Sequence, residues 1–459
     1  AACHRAPFPL TEAQRSAVAR AAGAPVAVIT GGPGTGKTAI IRALLVAWRH
    51  LGLDPSRVAL AAPTGKAAHR LTESLGPDAG TTAATLHRLL GARPGQGRFA
   101  YDATRPLPVD ALVVDEASML DLEMAVRTTD ALHPEARLVL VGDVDQLPSV
   151  DAGSVLAALV EGLPPAWVAR LERSFRMDAR DPAGGAVLTA ARAVHAGDEA
   201  GLLALTDDPA APLERIPLDT DAARRRFLDR VVDEGPLGEP EHRRAARRIR
   251  RLLDGAFAPD DAAEVRALLA RTAEHQLLTL TRRAEFAHGA ERISAELHRR
   301  YAARCGLPED RRFLPGEPVM MTRNDHDRRL YNGDIGVVLT LAPARRGGAS
   351  EAARPFVVFP AADGPVAHEL EPISGQLALA HAITVHKAQG SEYGAVTLLL
   401  PERDLELATR PMLYTALTRA RSAVRIAGPA AVLSAALGRV ALRTSGLPAQ
   451  LRAAFGGDR

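Results

Sequence analysis

Short apolar runs alternate with helical patterns through the first part of the chain. The runs with the length and composition of strands buried on both faces are Ala27–Thr30, Val58–Leu60, Leu112–Val114 and Leu138–Val141. After the first of them, apolar residues recur at the spacing of a helix with one buried face. Buried strands that alternate with helices are typical of a parallel sheet covered on both sides. The pattern therefore predicts an α/β fold.

The later part of the chain carries two kinds of pattern. Further buried parallel strands are predicted at Ala395–Leu400 and Ala423–Ile426. A smaller β unit is predicted from strands at Pro318–Thr322, Asp334–Leu341 and Phe356–Phe359, with a loop at Ala342–Ala353. Earlier in the chain, Ala92–Asp110 lacks apolar periodicity and contains several Gly and Pro residues. That stretch predicts either an inserted hairpin or a surface loop.

The composition excludes several classes of protein. A length of 459 residues indicates two to four domains, and 47% apolar with 24% charged residues is ordinary for a globular protein with a large core. No apolar run approaches a membrane span, and no charged segment precedes a hydrophobic stretch at the N-terminus, so neither a membrane helix nor a signal peptide is expected. Cys3 and Cys305 form no disulfide or metal-ligand pattern, and we expect a cytoplasmic protein. The net charge of +3 does not by itself indicate a nucleic-acid partner.

Lysine and asparagine are rare in this chain. Among 57 Lys and Arg, the lysines are Lys37, Lys66 and Lys387, and the asparagines are Asn324 and Asn332. The heavy use of Ala, Arg and Gly suggests a GC-rich genome, in which arginine replaces lysine wherever it serves. Because an ammonium and a guanidinium are not interchangeable, these five residues either mark positions that are hard to replace or survive by chance. All five lie inside the motifs described next.

A glycine-rich loop follows the first predicted strand. Its residues, Gly31-Gly32-Pro33-Gly34-Thr35-Gly36-Lys37-Thr38, have the spacing GxxxxGK[ST] between a strand and a helix. The glycines let backbone N–H groups point at phosphate oxygens. We expect Lys37 to reach the β- and γ-phosphates of a nucleoside triphosphate and the Thr38 hydroxyl to bind Mg²⁺. These eight residues form the predicted nucleotide site.

Two other strands end in groups that would complete such a site. Asp115 and Glu116 follow Leu112–Val114, and Gln146 follows the run that ends at Val141. Open α/β sheets bind ligands at the carboxyl ends of their strands. Asp115 suits Mg²⁺ binding through water, Glu116 suits activation of the attacking water, and Gln146 suits sensing of the γ-phosphate. For Gln146, a role as a turn residue stays open.

Polar residues at further strand ends suit a nucleic-acid backbone. Pro63, Thr64 and Lys66 follow the strand Val58–Leu60, and Thr85 and His87 come shortly after. Hydroxyls, a lysine and backbone amides are the groups that proteins use to bind backbone phosphates. We therefore predict that these five residues contact a nucleic-acid backbone.

The motifs, in this order, resemble those of superfamily 1 helicases. The sequences of residues 62–68, 115–119 and 384–392 are similar to those of the RecD branch, superfamily 1B. Residues 71–76 and the tail at 432–447 resemble the same branch. The resemblance covers roughly residues 10–450 and is thin between about 185 and 270. It implies two tandem RecA-like domains with two insertions, a small Src-homology-3-like β-barrel and a β-hairpin pin that splits the duplex. The implied bounds are 1–170 for motor domain 1, with the pin at about 92–110, 171–311 and 376–459 for motor domain 2, and 312–375 for the barrel.

The resemblance also implies roles in the ATP site. Gln14, which by itself looks like an exposed helix residue, would contact the adenine edge. Arg176 and Arg419 would reach the γ-phosphate from motor domain 2, as arginine fingers supplied in cis. Gly390 and Glu392 would complete the ATP-binding set.

Further DNA contacts are implied in motor domain 2 and the small barrel. Thr384 and His386 match the DNA-binding motif of the family. Asn324 and Asn332 lie beside predicted turns, where turn chemistry and DNA contact are equally open. Two basic runs lie at Arg224–Arg226 and Arg243–Arg251. They are predicted to be solvated helix faces or protein contacts rather than DNA contacts.

By resemblance, the chain is expected to be an ATP-dependent helicase that moves 5′→3′ on single-stranded DNA in a channel across both motor domains. It would be a subunit of heterotrimeric exodeoxyribonuclease V, with RecB and RecC in double-strand break repair by recombination, or a stand-alone helicase. The intact motifs weigh against a third form, a regulatory subunit with a dead ATPase site. No nuclease site is expected, because such a site needs a lysine and all three are assigned. Since the chain begins without methionine near the helicase core, we expect a fragment or a short form.

Overall fold

The computed structural model of the chain describes residues 9–76, 80–92, 98–149, 153–175, 182–206, 212–344, 351–361, 363–440 and 445–455. The chain divides into two compact units. The first comprises Ala1–Arg180 and Ala441–Arg459, and the second comprises Asp181–Val440. Each unit has its own sheets and its own apolar core.

The first unit is built on a six-stranded parallel sheet. Its elements in chain order are α1 (Glu12–Gly23), β1 (Val26–Gly31), α2 (Lys37–His50), β2 (Val58–Ala62), α3 (Gly65–Leu75), β3 (Ala83–Thr85), α4 (Leu86–Leu89), β4 (Ala111–Val114), α5 (Leu122–Asp130), β5 (Arg137–Gly142), α6 (Val155–Gly162) and β6 (Val168–Leu171). The strand order is β3-β2-β4-β5-β1-β6, and every pair is parallel. The predicted α/β fold is confirmed.

Successive residues of the central strands feed two apolar layers. Val113 of β4 belongs to the same core cluster as Ile40 and Leu44 of α2. Its neighbour Val114 belongs to a second cluster, together with Leu86 of α4. All five side chains are fully buried, and each stabilises the fold by about 1.5–3 kcal/mol. The two layers hold the carboxyl ends of the strands, where the predicted site residues lie, in fixed positions.

The second unit contains two sheets. Its elements are α7 (Pro182–Ala196), α8 (Glu199–Thr206), β7 (Leu213–Ile216), α9 (Asp221–Glu234), α10 (Pro240–Arg247), β8 (Arg250–Leu253), β9 (Ala256–Phe257), α11 (Pro259–Glu274), β10 (His275–Thr279), α12 (Ala290–Cys305), β11 (Pro318–Met321), β12 (Ile335–Ala344), β13 (Arg354–Phe359), β14 (Val366–Glu369), α13 (Leu370–Ile373), β15 (Leu377–Leu379), β16 (Ala382–Thr384), α14 (Val385–Ala388), β17 (Tyr393–Leu399), α15 (Arg410–Leu417), β18 (Ala420–Ala427) and α16 (Ala430–Gly438). A parallel sheet has the order β16-β10-β17-β18-β7, and a small antiparallel sheet has the order β14-β13-β12-β11-β15. None of the helices in the described parts of the chain has the length and apolar character needed to cross a membrane.

The small sheet differs from the predicted insertion in its bounds. It recruits β8, which pairs in parallel with β12, and β9, and it ends at β15, beyond the predicted residue 375. The loop predicted from Ala342 starts later, because β12 continues through Ala344 where β8 pairs with it. Pairings between the described strands run from β14 to β15 without joining these two, so a closed barrel stays a prediction.

Two segments lie in the first unit although the prediction placed them in motor domain 2. β6 pairs with β1, so residue 171 ends the first sheet instead of opening the second. The last helix, α17 (Leu447–Phe455), packs beside α6 of the first unit, and the rings of Trp167 and Phe455 lie 5.1 Å apart. Gly162 allows this approach, because a Cβ there would lie 2.8 Å from the Cβ of Leu451. Helical spacing alone does not determine which sheet a terminal helix covers.

The described part of the segment predicted as a hairpin contains a tight turn. Asp102 and Arg105 form an isolated antiparallel bridge, and the Asp102 carboxylate accepts a hydrogen bond from the Thr104 N–H at 2.8 Å. Leu107 and Val109 are buried in the core of the first unit. The Gly- and Pro-rich residues 93–97 lie outside the described residues. A role as a pin stays a prediction.

Candidate functional site

The glycine-rich loop leads from β1 into α2, as predicted. Gly34 and Gly36 have φ angles of 71° and 82°, a left-handed conformation that glycine adopts without strain. A Cβ on Gly31 would lie 2.8 Å from the Cβ of Leu171. The loop therefore needs glycine for its conformation and for its close approach to β6. α2 begins at Lys37, so its first N–H groups face the loop, where they suit an anion.

Lys37 lies between the loop and the acidic strand ends. Its Nζ donates to the carbonyls of Gly31 at 2.7 Å and Gly32 at 3.0 Å. Its charge also lowers the pKa of both Asp115 and Asp143, although other effects outweigh it at each. A single cation thus serves both carboxylates and the phosphate loop, which is the arrangement expected of a phosphate-binding lysine.

Asp115 and Glu116 follow β4 at the carboxyl edge of the sheet. Burial, and then the neighbouring Glu116 carboxylate, raise the pKa of Asp115 to about 7. Glu116 has a φ of 52°, a left-handed conformation that costs a non-glycine residue about 1 kcal/mol or more. Strain of this kind persists where the surrounding structure enforces it, and it is frequent at active sites. A bound cation would favour the ionised form of Asp115.

Asp143 is a site residue that the sequence reasoning missed. It is 1% exposed, and burial raises its pKa. Its carboxylate accepts hydrogen bonds from Gln146 Nε2 at 2.8 Å and from the Asp145 N–H at 3.1 Å. The amide of Gln146 is therefore oriented by Asp143. The available signal was position, because Asp143 follows β5 as Asp115 follows β4.

Gln14 is tied to the phosphate loop. It is 5% exposed, unlike the exposed helix residue that its spacing alone suggests. Its Nε2 donates to the Thr35 carbonyl at 3.0 Å, and its Oε1 accepts from the Thr11 N–H at 3.0 Å. Thr11 also caps α1 by accepting from the Gln14 N–H. The side chain therefore links the start of α1 to the loop.

The segment after β6 also contacts the phosphate loop. Ser174 Oγ donates to the Pro33 carbonyl at 2.9 Å, and the Phe175 N–H donates to the Gly34 carbonyl at 2.7 Å. Arg176, predicted to reach the γ-phosphate, is the next residue and lies outside the described residues.

Three predicted DNA-contacting threonines occupy equivalent positions. Each begins a helix at a strand end, and its Oγ1 accepts a backbone N–H three residues ahead: Thr64 from Ala67, Thr85 from Arg88 and Thr384 from Lys387. Ala62 and Thr85 are paired across β2 and β3, so Thr64 and Thr85 lie on one edge of the first sheet. Pro63 and Lys66 flank Thr64, and His87 follows Thr85 within α4. Thr384 and His386 lie on the corresponding edge of the second unit's parallel sheet.

Arg419 is a buried cation in the second unit. It is 5% exposed, and its guanidinium donates to the carbonyls of Thr415 at 3.1 Å and Ser391 at 3.4 Å. Ser391 lies between Gly390, which has a left-handed φ of 68°, and Glu392. None of the ion pairs between described residues includes Arg419. A buried guanidinium with neutral acceptors is poised to bind an anion.

Asn324 and Asn332 lie in the connection between β11 and β12. Asn332 N–H donates to Asn324 Oδ1 at 2.8 Å, and Asn332 Oδ1 accepts from Lys387 Nζ at 2.7 Å. Both asparagines therefore have structural contacts of their own. The sequence left two roles open for the asparagines, turn chemistry and DNA contact. These contacts favour the local role.

Comparison with known proteins agrees with this geometry. An AAA domain family matches residues 14–152, and a UvrD-like helicase C-terminal domain family matches residues 379–427. The RecBCD enzyme subunit RecD of Mycobacterium tuberculosis is 39% identical over 96% of this chain and 73% of its own length. This chain belongs to the RecD family. The predicted resemblance is confirmed.

Other similar proteins include a second RecD subunit, a RecD2 helicase and a solved helicase structure. The RecBCD enzyme subunit RecD of Mycolicibacterium smegmatis is 38% identical over 96% of this chain and 75% of its own length. The ATP-dependent RecD2 DNA helicase of Deinococcus radiodurans is 35% identical over 94% of this chain and 50% of its own length. Among solved structures, the Pif1 helicase from Candida albicans has a TM-score of 0.48 and 18% identity, over 92% of this chain and 94% of that chain.

Proposed function

We propose that this RecD-family chain is an ATP-dependent DNA helicase that moves 5′→3′ on single strands. We further propose that it acts as the RecD subunit of a RecBCD-type enzyme, with RecB and RecC as partners in double-strand break repair by recombination. The observation that carries the proposal is the convergence of Lys37, Asp115 and Glu116 at the carboxyl edge of a parallel sheet. RecD subunits of mycobacterial RecBCD enzymes, more than a third identical to this chain, support the subunit assignment.

In the first unit, the loop residues bind the phosphates of ATP and Gln14 contacts the adenine edge. Thr38 and Asp115 suit Mg²⁺, because a hydroxyl and a buried carboxylate are hard oxygen ligands and a cation would favour the charged form of Asp115. Bound with ATP, Mg²⁺ supplies positive charge to the β- and γ-phosphates. Glu116 orients the attacking water and accepts its proton. Gln146, held by Asp143, senses the γ-phosphate.

In the second unit, Arg419 supplies a guanidinium that neutralises charge developing on the transferred phosphoryl group. We propose the same role for Arg176, and Gly390 and Glu392 complete the ATP-binding set. The buried position of Arg419 supports this role, since a fixed guanidinium needs no reorganisation during the reaction.

DNA contacts follow the strand edges of both units. Pro63, Thr64, Lys66, Thr85 and His87 are the proposed contacts in the first unit. Thr384 and His386 are the proposed contacts in the second. Such groups bind phosphates through hydroxyls, a lysine and helix starts, so they position the strand without reading its sequence.

A stand-alone helicase is the second candidate. The RecD2 DNA helicase, 35% identical over 94% of this chain, favours it. Unwinding of partial duplexes with a 5′ or a 3′ overhang tests both forms, with and without ATP, for the chain alone and mixed with RecB and RecC. Unwinding from the 5′ overhang only with the partners supports the subunit, and equal unwinding by the chain alone supports the second candidate. A preference for the 3′ overhang would contradict the proposed polarity.

A further inference from the structure

Three of the five residues that the composition singles out form one hydrogen-bonded chain. Lys387 Nζ donates to Asn332 Oδ1 at 2.7 Å, and the Asn332 N–H donates to Asn324 Oδ1 at 2.8 Å. The asparagines lie in the connection between β11 and β12 of the small antiparallel sheet, and Lys387 lies in α14, directly after β16 of the parallel sheet of the same unit. Asn324 and Asn332 are the only asparagines in the sequence. A contact that unites these rare residues across 55 positions points to a shared function.

The turn that carries Asn332 is held by several backbone contacts. Asp325 and Leu330 exchange N–H···O=C hydrogen bonds at 2.7 and 2.9 Å, and Leu330 is buried. On the other side of Asn332, the Tyr331 N–H donates to Asp334 Oδ2 at 2.7 Å. The carboxamide of Asn332 is therefore presented from a fixed position.

Lys387 lies where the parallel sheet would meet a phosphate. It follows Thr384, which pairs with Thr279 of β10 at the carboxyl ends of the two strands. Burial, and then the charge of Arg282, lower the pKa of Lys387, so the ammonium lies in a partly desolvated, electropositive place. No carboxylate of the described residues forms an ion pair with Lys387. Asn332 Oδ1 accepts a hydrogen bond from one of the three N–H groups of the Lys387 ammonium and does not neutralise the charge of that ammonium.

We propose that Lys387 contacts a backbone phosphate of single-stranded DNA and that Asn332, itself held by Asn324, is a positioning residue for the Lys387 ammonium. This inference rests on the proposed function, and of the two interpretations left open for the asparagines it takes local chemistry over direct DNA contact. A neutral amide suits the task because it orients the ammonium and leaves its full charge for the phosphate. A carboxylate at the same place would cancel that charge.

The test is the salt dependence of binding to a labelled oligothymidylate without nucleotide. Each phosphate neutralised on a single strand contributes about 0.7 to the slope of log K against log salt. Lys387→Gln should lower the slope by about 0.7, and a rise from about 50 to about 200 mM salt should then weaken binding about threefold less than in the wild type. Lys387→Arg should keep the slope. Asn332→Asp should lower it as Lys387→Gln does, because the new carboxylate neutralises the ammonium in place.

The positioning role is tested by combining variants. Asn332→Ala and Asn324→Ala should each weaken binding several-fold in the wild type and leave the affinity of Lys387→Gln unchanged. Arg49→Gln is the matched control, since it removes an exposed cation at the far end of α2 and should leave the slope unaltered. Thermal unfolding of each variant shows whether the fold is kept.

Two results would overturn the inference. One is a Lys387→Gln protein with the wild-type slope, and the other is an asparagine variant whose effect adds fully to that of Lys387→Gln, which would place the asparagine on the DNA itself. Failure of the proposed function is a different result. In that case the wild type would neither bind the oligonucleotide nor hydrolyse ATP faster in its presence.

Discussion

Each unit buries a carboxylate, and burial has opposite outcomes in the two. The carboxylate of the second unit is Glu317, and that of the first unit is Asp115. Glu317 is 0% exposed, and its Oε1 lies 2.7 Å from His298 Nδ1 and 2.9 Å from His381 Nε2. Burial by itself would raise its pKa, but the hydrogen bonds from the two histidines hold the pKa of Glu317 at about 2. For Asp115, burial and a second carboxylate raise the pKa to about 7.

The difference separates a carboxylate whose charge is satisfied by the fold from one whose charge is left for the proposed ligand. The Glu317 cluster satisfies its own charge, so it stabilises the fold and offers nothing to a ligand. The Asp115 edge stores unfavourable negative charge, which a bound cation would relieve. Arg419 and Lys387 are the cationic counterparts of Asp115. Their described hydrogen bonds go to neutral acceptors, so their positive charges are not balanced by those contacts.

Removing the cation of the phosphate loop should have the largest effect. Lys37→Gln is expected to abolish ATP hydrolysis. It should leave the fold intact because, among the described residues, Lys37 Nζ donates hydrogen bonds to the loop carbonyls of Gly31 and Gly32 alone. DNA-stimulated ATPase and thermal unfolding measure the two expectations. Arg49→Gln is the control, as it removes an exposed cation at the far end of α2 and should keep DNA-stimulated turnover. Substantial DNA-stimulated turnover in Lys37→Gln would contradict the assignment of the loop.

Arg419→Ala is expected to lower kcat by about 10³–10⁵-fold, the range typical of arginine fingers. Affinity for single-stranded DNA without nucleotide should change little. Both quantities are measured on one preparation, so that misfolding would appear as a loss of both. Near wild-type turnover would show that the buried guanidinium serves the fold rather than the reaction.

Glu116→Gln should keep ATP binding and lose about 10²–10⁴-fold in turnover, because the amide preserves the shape of the side chain and cannot accept a proton. Equilibrium binding of a fluorescent ATP analogue and steady-state ATPase measure the two effects. Loss of ATP binding in this variant would instead assign Glu116 to the fold or to the metal.

The two carboxylates should respond oppositely to neutralisation when nucleotide and Mg²⁺ are absent. The pKa of Glu317 is lowered from 4.5 to about 2, so its contribution, about 3 kcal/mol, is complete above pH 4.5 and is lost as the pH falls towards 2. The pKa of Asp115 is raised from 3.8 to about 7, so its penalty grows between these pH values and is complete above pH 7. At pH 8, Glu317→Gln should therefore lower the free energy of unfolding and Asp115→Asn should raise it.

Urea unfolding of both variants at pH 5 and pH 8 measures this contrast. The gain in Asp115→Asn should shrink at pH 5. The loss in Glu317→Gln should instead be larger at pH 5 than at pH 8, because Glu317 raises the pKa of His298 and that stabilisation is present only at low pH. Equal destabilisation by both substitutions at pH 8 would remove the distinction between the two regions.

Local patterns were sufficient to predict the nucleotide loop and the acids after β4. The loop needs glycine at left-handed positions and a helix directly after it, and both requirements are met by adjacent residues. Buried strands have a period and a length that a single sequence reveals, and their carboxyl ends mark the ligand edge. Lys37, Asp115 and Glu116 were therefore predictable one motif at a time.

Contacts between distant residues decided the rest. Gln14 is held by a hydrogen bond to Thr35, 21 positions further along the chain. β6 belongs to the first sheet because it pairs with β1. The position of α17 depends on the space that Gly162 leaves.

The rare residues show the division most clearly. The sequence by itself determined that Lys387, Asn324 and Asn332 are unusual, because lysine and asparagine together occur only five times in the sequence. Only the tertiary structure decided that Lys387 of α14 and Asn332 of the β11–β12 connection, 55 positions apart, meet through a hydrogen bond. Composition and periodicity can be read directly from the sequence. The partners of a charged side chain cannot, because only folding brings distant residues within about 3 Å of one another.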